Sequence, residues 1–349
     1  MNSRAFGLLD KLSKSNSLEI EEYKFLIENY NAETADYASA LAVKKRKEIY
    51  GNSVFIRGLI EISNICKNDC YYCGIRCSNK NADRYRLSKE DILSCCDLGY
   101  SLGFRTFVMQ GGEDPYFTDD IMCDIVKSFK RNYPDCAVTL SLGERTKESY
   151  QKLYTAGADR YLLRHETADS CHYAKLHPQN LTLRNRMDCL KNLREIGFQV
   201  GCGFMVGSPF QTSEYLAKDL KFIEEFKPDM CGIGPFIPHK DTPFKDFSAG
   251  SASLTCYLLS IVRLIHPTVL LPATTALGTL EQNGREKGIL SGANVVMPNL
   301  SPESTRAKYE LYNNKLSTGA ESANGLAALR KNLSTIGYEI EVSRGDVKK

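Results

Sequence analysis

Four cysteines fall within the stretch "ISNICKNDCYYCGIRC", residues 62–77: Cys66, Cys70, Cys73 and Cys77. Clustered thiols serve disulfides, zinc sites, redox pairs or iron–sulfur clusters, and the spacing separates these. A tetrahedral zinc site takes four ligands, usually as two separated pairs, and the chain has no second C-x2-C or C-x2-H pair. Cys77 could supply a fourth thiolate, but C-x3-C is not a usual zinc spacing. A redox C-x2-C pair expects a thioredoxin-like βαβ setting. Cys66, Cys70 and Cys73 form C-x3-C-x2-C. Three thiolates from one tight loop can hold three irons of a 4Fe-4S cluster, for which soft ligands are required. The fourth iron is then open, as a catalytic metal position must be.

Other residues of suitable chemistry sit after predicted strands. "QGGEDP" (Gln110, Gly111, Gly112, Glu113) has glycines that allow close approach of backbone to a ligand. In "LRHET", Arg164 is a fixed planar donor fork and Glu166 an acceptor for a hydroxyl; the two could equally form a salt bridge at a rim. Arg57, Thr139, Thr274 and Thr275 lie on or at the ends of strands, a set suited to a small anionic ligand. Tyr309 and Tyr312 are three apart and are expected on one helix face. Arg186 lies on a helix. His239 follows a strand but lacks metal-ligand companions, which makes it structural.

The elements that must position these residues alternate. Residues 4–50 read as helices ending at Gly51. Strands then read at "SVFIRGLIEIS", "RTFVMQ", "AVTLSL", "ADRYLLR", "QVGCGFMVG", "DMCGIGPF", "TVLLPAT" and "ANVVMP". Each is followed by an amphipathic helix, the first with Ser88 as N-cap and Asp91 three residues on, the last near "TRAKYELYNN". Short apolar strands alternating with helices imply a parallel sheet, and eight such units imply closure. The predicted fold class is α/β: a (β/α)8 TIM-type barrel over 52–315, an N-terminal helical extension over 1–51 and a C-terminal helical tail over 316–349. An open doubly wound sheet is disfavoured because no G-x-G-x-x-G follows the first strand. Catalytic residues of such barrels gather at the C-terminal ends of the strands, where the cysteine loop and the other motifs fall.

With 349 residues and 42% hydrophobic content the chain can bury a large core. A net charge of +3, with basic and acidic residues interspersed, gives no case for nucleic acid. No apolar run approaches the ~18 residues of a membrane span. The N-terminal stretch, broken by Asp10 and Lys11, is a poor signal peptide, so the expected compartment is the cytoplasm, or an anaerobic or organellar space without a clear targeting segment. Thirteen cysteines in a reducing compartment are not a disulfide framework.

C-x3-C-x2-C with an aromatic, Tyr72, before the third cysteine, after the first strand of a (β/α) barrel, resembles the radical S-adenosylmethionine (SAM) superfamily. More narrowly, "EISNICKNDCYYCGIR", "NKNADRYRLS", "QGGEDPYF", "VTLSLGE", "GADRYLLRHETA", "MCGIGPFIPHKDTP", "LPATTALGT" and "GANVVMPNLSP" resemble the HydE family of FeFe-hydrogenase maturases, over about residues 40–315. The resemblance implies a 4Fe-4S cluster on Cys66, Cys70 and Cys73, with SAM chelated by the open iron and cleaved to a 5′-deoxyadenosyl radical. It implies SAM contacts from Tyr72, Gln110, Gly111, Gly112, Glu113, Arg164, Glu166 and Arg186. Arg57, Thr139, Arg164, Thr274 and Thr275 would bind substrate, and Tyr309 and Tyr312 would be catalytic. The implied substrate is an iron–cysteine complex carrying CO and cyanide, made by the partner maturase HydG. A scaffold maturase would receive the product and an electron donor would reduce the cluster; neither nucleic acid nor membrane is involved. The alternatives are a methylornithine synthase acting on lysine, a biotin synthase-like enzyme, and a non-catalytic carrier of an iron precursor. Gly111 stands where a serine is common, and Phe210 departs from a G-x-P-G-Q-T pattern. No cysteine follows Cys256, so a C-terminal accessory cluster is not expected, and Cys77 is read as a non-ligand.

Overall fold

The computed structural model describes residues 3–317 and 322–348. The sequence-based bounds 1–51 and 316–349 thus include residues 1–2, 318–321 and 349, which lie outside the described residues. The strands are β1 (Ser53–Ile56), β2 (Gly58–Ser63), β3 (Thr106–Gly111), β4 (Ala137–Ser141), β5 (Arg160–Leu162), β6 (Gln199–Cys202), β7 (Met205–Val206), β8 (Met230–Cys231), β9 (Gly234–Pro235), β10 (Val295–Val296) and β11 (Glu339–Glu341). A parallel sheet runs in the order β2-β3-β4-β5-β6-β8. Parallel bridges Met230–Leu270, Pro272–Val295 and Leu59–Asn299 carry it round to β2 again. The ring therefore closes. The seventh expected strand, around residues 268–274, contributes single bridges rather than a ladder.

Alternation along the strands sorts side chains to two environments. Ile60, Ile62, Phe107, Met109, Val138, Leu140, Tyr161 and Val200 point outward into one apolar core shared with the helices. Burying each such side chain contributes roughly 1.5–3 kcal/mol. The intervening positions face the lumen, and many are polar: Arg57, Glu61, Thr139, Arg160 and Gln199. Several helices that follow strands begin on hydroxyl N-caps. Ser88 forms a capping box with Asp91, and Thr118, Thr146, Thr182 and Thr212 each accept from the amide three residues on. At the N-terminus, helices Ser3–Ser15, Ile20–Glu28 and Ala32–Tyr50 lie on the outside of the ring. The third packs Ala38 and Ala42 at helix Ala252–Ile265, and the second meets helix Ser213–Phe226, where the Tyr23 hydroxyl donates to Glu224. No helix among the described residues is long and apolar enough to cross a membrane.

Two expectations need correction. The helix read near residues 305–314 is only Glu303–Arg306. Beyond it the backbone bonds to other loops: Gly74 N–H donates to Leu311 O at 2.8 Å, Asn313 N–H to Pro238 O at 3.1 Å, and the Asn64 amide to Lys308 O at 2.7 Å. Tyr309 and Tyr312 therefore do not share a helix face. The C-terminal segment, expected to be helical, carries helix Leu326–Thr335 and then β11, which pairs in parallel with β1.

After β11 the chain closes the lower end of the lumen. Arg160 donates to Asp346 Oδ1 at 2.5 Å, to Thr106 Oγ1 at 3.0 Å and to Gln199 Oε1 at 3.0 Å. Arg344 donates to Asp159 and to Asp346, both at 3.0 Å. Burial works to raise the Asp346 pKa, but hydrogen bonds and charge from Arg160, aided by Arg344 and Gln199, hold it below the usual carboxylate range. A carboxylate depressed in the folded state contributes stability above its unfolded pKa of about 3.9, lost as pH falls toward the folded value. Asp346 is partly exposed, which discounts its contribution to about 1–2 kcal/mol. We predict that Asp346→Asn lowers Tm at pH 7, and that the gap to the parent closes as thermal melts are repeated below about pH 4.

Candidate active site

The cysteine loop leaves the top of β2 and has no regular structure until helix Lys89–Ser101. Its shape is imposed by side chains. Arg84 donates to the carbonyls of Asn64, Ile75, Arg76 and Asn79 at 2.5–3.0 Å. Asn64 donates to Asp83 O and accepts from Tyr85 N–H. Arg76 forks onto Asp69 at 2.8 and 2.5 Å. Arg86 and Ser63 both bind Asp114, at 2.7–2.9 Å, tying this loop to the one after β3.

The three thiols of the C-x3-C-x2-C set line one cavity of about 300 Å³ at the C-terminal ends of the strands. The same cavity is walled by Tyr72, Gln110, Gly111, Gly112, Glu113, Arg164, Glu166, Arg186, Tyr309 and Tyr312. Burial raises all three thiol pKa values, Cys73 to about 12 with help from Cys66, and Cys70 well above its ordinary range with help from Cys73 and Cys66. Mutually close, desolvated thiols ionise only against positive charge, which iron would supply. No group of three His, Cys, Asp or Glu side chains able to hold a single metal ion occurs among the described residues. A 4Fe-4S cluster makes a different demand, because each cysteine binds its own iron. The donor set fits a cluster. Cys77 is exposed and does not line the cavity.

Two glycines are needed for close approach. A Cβ on Gly112 would stand 2.3 Å from Ile65 O and 2.7 Å from Cys66 Cβ. Gly143 adopts φ +74°, and a Cβ there would lie 2.2 Å from Glu113 Oε1. That oxygen accepts from Glu144 N–H at 2.8 Å, and Lys67 stands 3.2 Å from the other. Arg186, although helical, is buried in the cavity wall. It donates to Glu144 Oε1 at 2.5 Å and to Arg164 O at 2.6 Å. Arg164 and Glu166 approach to 3.2 Å without hydrogen-bond geometry, so Arg164 Nη2 and Glu166 Oε2 stay buried with unused capacity. The pair is close enough to attract electrostatically, and both members line the cavity. Glu166 has φ +65°, uncommon off glycine and held by its N–H on Gly203 O at 3.0 Å. Between them His165 turns away. It accepts from Gly203 N–H at 3.3 Å and stands 3.4 Å from Asp219, both side chains fully buried.

Tyr72 has a partner that the sequence did not suggest. His177 Nδ1 lies 3.0 Å from Tyr173 O, and a carbonyl only accepts, so Nδ1 carries the proton. Burial keeps this imidazole neutral, with a pKa near 3, and Nε2 accepts from the Tyr72 hydroxyl at 3.3 Å. Tyr309 is buried, 3.4 Å from the Gln110 amide nitrogen. Burial, then the nearby Glu61 charge, pushes its phenol well above the ordinary range and keeps it protonated.

The expected substrate set is split. Arg57 and Thr139 lie below the main cavity, beside a small void of about 10 Å³ that also touches Arg160 and Met230. Leu162 walls both spaces. Arg57 donates to Met230 Sδ at 2.7 Å, while its Nε and Nη2 are buried without partners, as is Thr139 Oγ1. Thr274 and Thr275 do not line the main cavity. Thr274 Oγ1 is buried without a partner behind Gly234, next to the cavity-lining Pro235. His239 is buried and structural in setting, its Nδ1 accepting from Asp241 N–H at 3.1 Å. Phe210 takes φ +65°, the left-handed region in which glycine is favoured, and is about half exposed. Sequence reasoning missed Glu144, His177, Ser141 and Leu163. Ser141 was legible as a polar lumen position two residues beyond Thr139.

A biotin synthase-like second cluster would need cysteines in the lumen. Gly201 and Met230 face the lumen, so the adjacent Cys202 and Cys231, paired across β6 and β8, face outward into the helix-covered core.

The sequence matches the Radical SAM superfamily over residues 60–223. It is 44% identical to the [FeFe] hydrogenase maturase subunit HydE of Thermotoga maritima, covering 85% of this chain and 84% of that one. It is 27% identical to 3-methylornithine synthase of Methanosarcina acetivorans, covering 95% and 92%. The fold superposes on the crystal structure of methylornithine synthase (PylB) with a TM-score of 0.84 and 26% identity, over 96% of this chain and 97% of that one. The chain is a radical SAM enzyme, with a 4Fe-4S cluster and SAM as its cofactors, and it belongs to the family of the FeFe-hydrogenase maturase HydE.

Proposed function

We propose that this enzyme acts on an iron–cysteine complex bearing CO and cyanide during assembly of the two-iron precursor of the FeFe-hydrogenase active site. The relative at 44% identity bears the name of a hydrogenase maturase. That likeness carries the substrate class; the unpartnered buried donors Arg57 Nε and Nη2 with Thr139 Oγ1, one layer below the main cavity, add a polar set suited to an anionic group. A buried guanidinium without a carboxylate is costly, and an anionic ligand would repay that cost. HydG as the source of the substrate, a scaffold maturase as receiver of the product and a separate electron donor complete the reading.

In this reading Cys66, Cys70 and Cys73 hold the cluster. With SAM it supplies a 5′-deoxyadenosyl radical. Arg186, oriented by Glu144, offers its remaining donors to a carboxylate. Glu113 and the turn at Gly111 and Gly112 accept and donate at the methionyl end. Glu166 accepts from ribose, and Arg164 and Tyr72 complete the cofactor wall. Tyr309 holds its phenolic proton in the cavity, and Tyr312 lies beside it. Arg57 and Thr139, one layer below the cavity, with Thr274 and Thr275 beside it, would meet the anionic end of the substrate once the Leu162 side chain yields.

The 3-methylornithine synthase likeness supports a second reading, with lysine as substrate. The test is anaerobic: the reconstituted, reduced enzyme with SAM is offered either the iron complex or lysine, and products are read by mass spectrometry. An adenosylated product formed only with the iron complex is expected. Turnover of lysine alone would overturn the proposal.

Two variants extend the test. Arg57→Met should lower kcat/KM for the iron complex roughly tenfold to a hundredfold, the loss of a charged hydrogen bond worth about 1.5–3 kcal/mol. Its Tm should not fall, because an unpaired buried charge is removed. Gly112→Ala should lower the iron bound per chain on reconstitution, since the added methyl displaces Ile65 and Cys66 at a cost of about 1–3 kcal/mol. Iron analysis of the variant against the parent checks this.

A further inference from the structure

Glu61 stands on β2, two residues before Ser63, and is fully buried in the lumen. An isolated carboxylate there would be strongly unfavourable. Both its oxygens are occupied. Oε1 accepts from Lys315 Nζ at 2.6 Å and Oε2 from the Asn299 amide at 2.8 Å. Asn299 is in turn fixed by Ser301 N–H at 2.8 Å, and Ser301 Oγ accepts from Glu61 N–H at 2.8 Å. Lys315 comes from the irregular segment 307–317 that lies across the cavity, and its own side chain is only 9% exposed. Its ammonium stands 5.1 Å from the centre of the Tyr309 ring.

That segment is held mostly from the loops around the cavity rim. Asn64 binds Lys308 O, Lys308 pairs with Asp83, Gly74 N–H binds Leu311 O, Asn313 joins the loop at Pro238 and Lys240, and Leu316 N–H reaches Thr279, while the Gln110 amide meets the Tyr309 hydroxyl at 3.4 Å. Between these ties Tyr309, Leu311 and Tyr312 face the cavity. The last tie among the described residues before position 318 that reaches the barrel lumen is Lys315 on Glu61. We propose that Glu61 and Lys315 are positioning residues: their buried ion pair fastens the strap 307–317 over the cavity and sets where Tyr309 stands. The proposal rests on the cavity being the reaction chamber, but not on the identity of the substrate. A strap held this way fixes one wall of the chamber, and misplacement of a wall by about 1 Å is enough to lower productive turnover strongly.

Removing Lys315 alone leaves Glu61 buried and unpaired, a change that can unfold the chain. The informative variant is therefore Glu61→Gln/Lys315→Met, which removes both charges, with Lys315→Arg as the conservative control. The first readout is hydrogen exchange of peptides covering 307–317 in the full chain, with no substrate present. Exchange there should quicken by roughly tenfold or more in the double variant, with the barrel strands unchanged, and return toward the parent in Lys315→Arg. The second readout is product formed per SAM cleaved, which should fall by roughly tenfold while Tm and bound iron stay at parent levels. Parent-like exchange in 307–317 would overturn the latch. Faster exchange with parent-like coupling would overturn the positioning of Tyr309. The exchange readout stands whatever substrate the enzyme uses, so its failure is distinct from failure of the iron-complex reading.

Discussion

Arg84 spreads one guanidinium over four backbone carbonyls of the cysteine loop. The loop has no helix or strand of its own, and stretches of that length without secondary structure rarely hold a fixed shape. Carbonyls that would otherwise be satisfied by water are gathered on one cation, and Asn64 and the Asp69–Arg76 fork fix the two flanks. The consequence is a loop that turns three thiols to one side. The next constraint follows from it. Arg86 and Ser63 meet on Asp114, so the glycine turn after β3 is registered against the cysteine loop, with Gly112 pressed on Ile65 and Cys66.

The lumen obeys a second rule. Its polar groups are divided into those that are paired and those that wait. At the lower end Arg160 is satisfied by Asp346, Thr106 and Gln199, brought together by the C-terminal segment. At the upper end Glu61 is satisfied by Lys315 and Asn299. Between them Arg57 and Thr139 keep unused polar atoms, and above them Arg164 keeps unused donors and Glu166 an unused acceptor. Folding alone does not explain that distribution, since an apolar filling of the same layers would be more stable. The two groups lie at two depths, separated by the Leu162 layer.

Much of this was legible along the chain because it is local. Strand and helix periods, hydroxyl N-caps such as Ser88 and the C-x3-C-x2-C spacing each lie within a few residues, and the barrel follows from their order. The features that were not legible are pairings across long separations. Lys315 meets Glu61 from 254 residues away, and no periodicity announces it. Arg186 is legible along the chain, but its orientation by Glu144, 42 residues away, is not. The stretch "AKYELYNN" has helical composition, but its carbonyls and amides are taken by Gly74, Asn64 and Pro238, so it lies as a strap. Likewise β11 is visible only as an edge partner of β1. Thr274 and Thr275 follow a strand as expected, yet at the start of helix Thr275–Leu280 they stand outside the lining of the main cavity.

The central claim is that three thiols of one loop hold the cluster and leave an iron position for SAM within the main cavity. It is tested most directly by pulsed electron paramagnetic resonance on the reduced enzyme, with SAM carrying nitrogen and oxygen isotopes in its amino and carboxylate groups. The account predicts hyperfine coupling from both labels to the cluster, retained in Cys77→Ala and lost with the cluster in Cys70→Ala. A cluster ligated by Cys77 as a fourth thiolate, showing no coupling to labelled SAM, would contradict it.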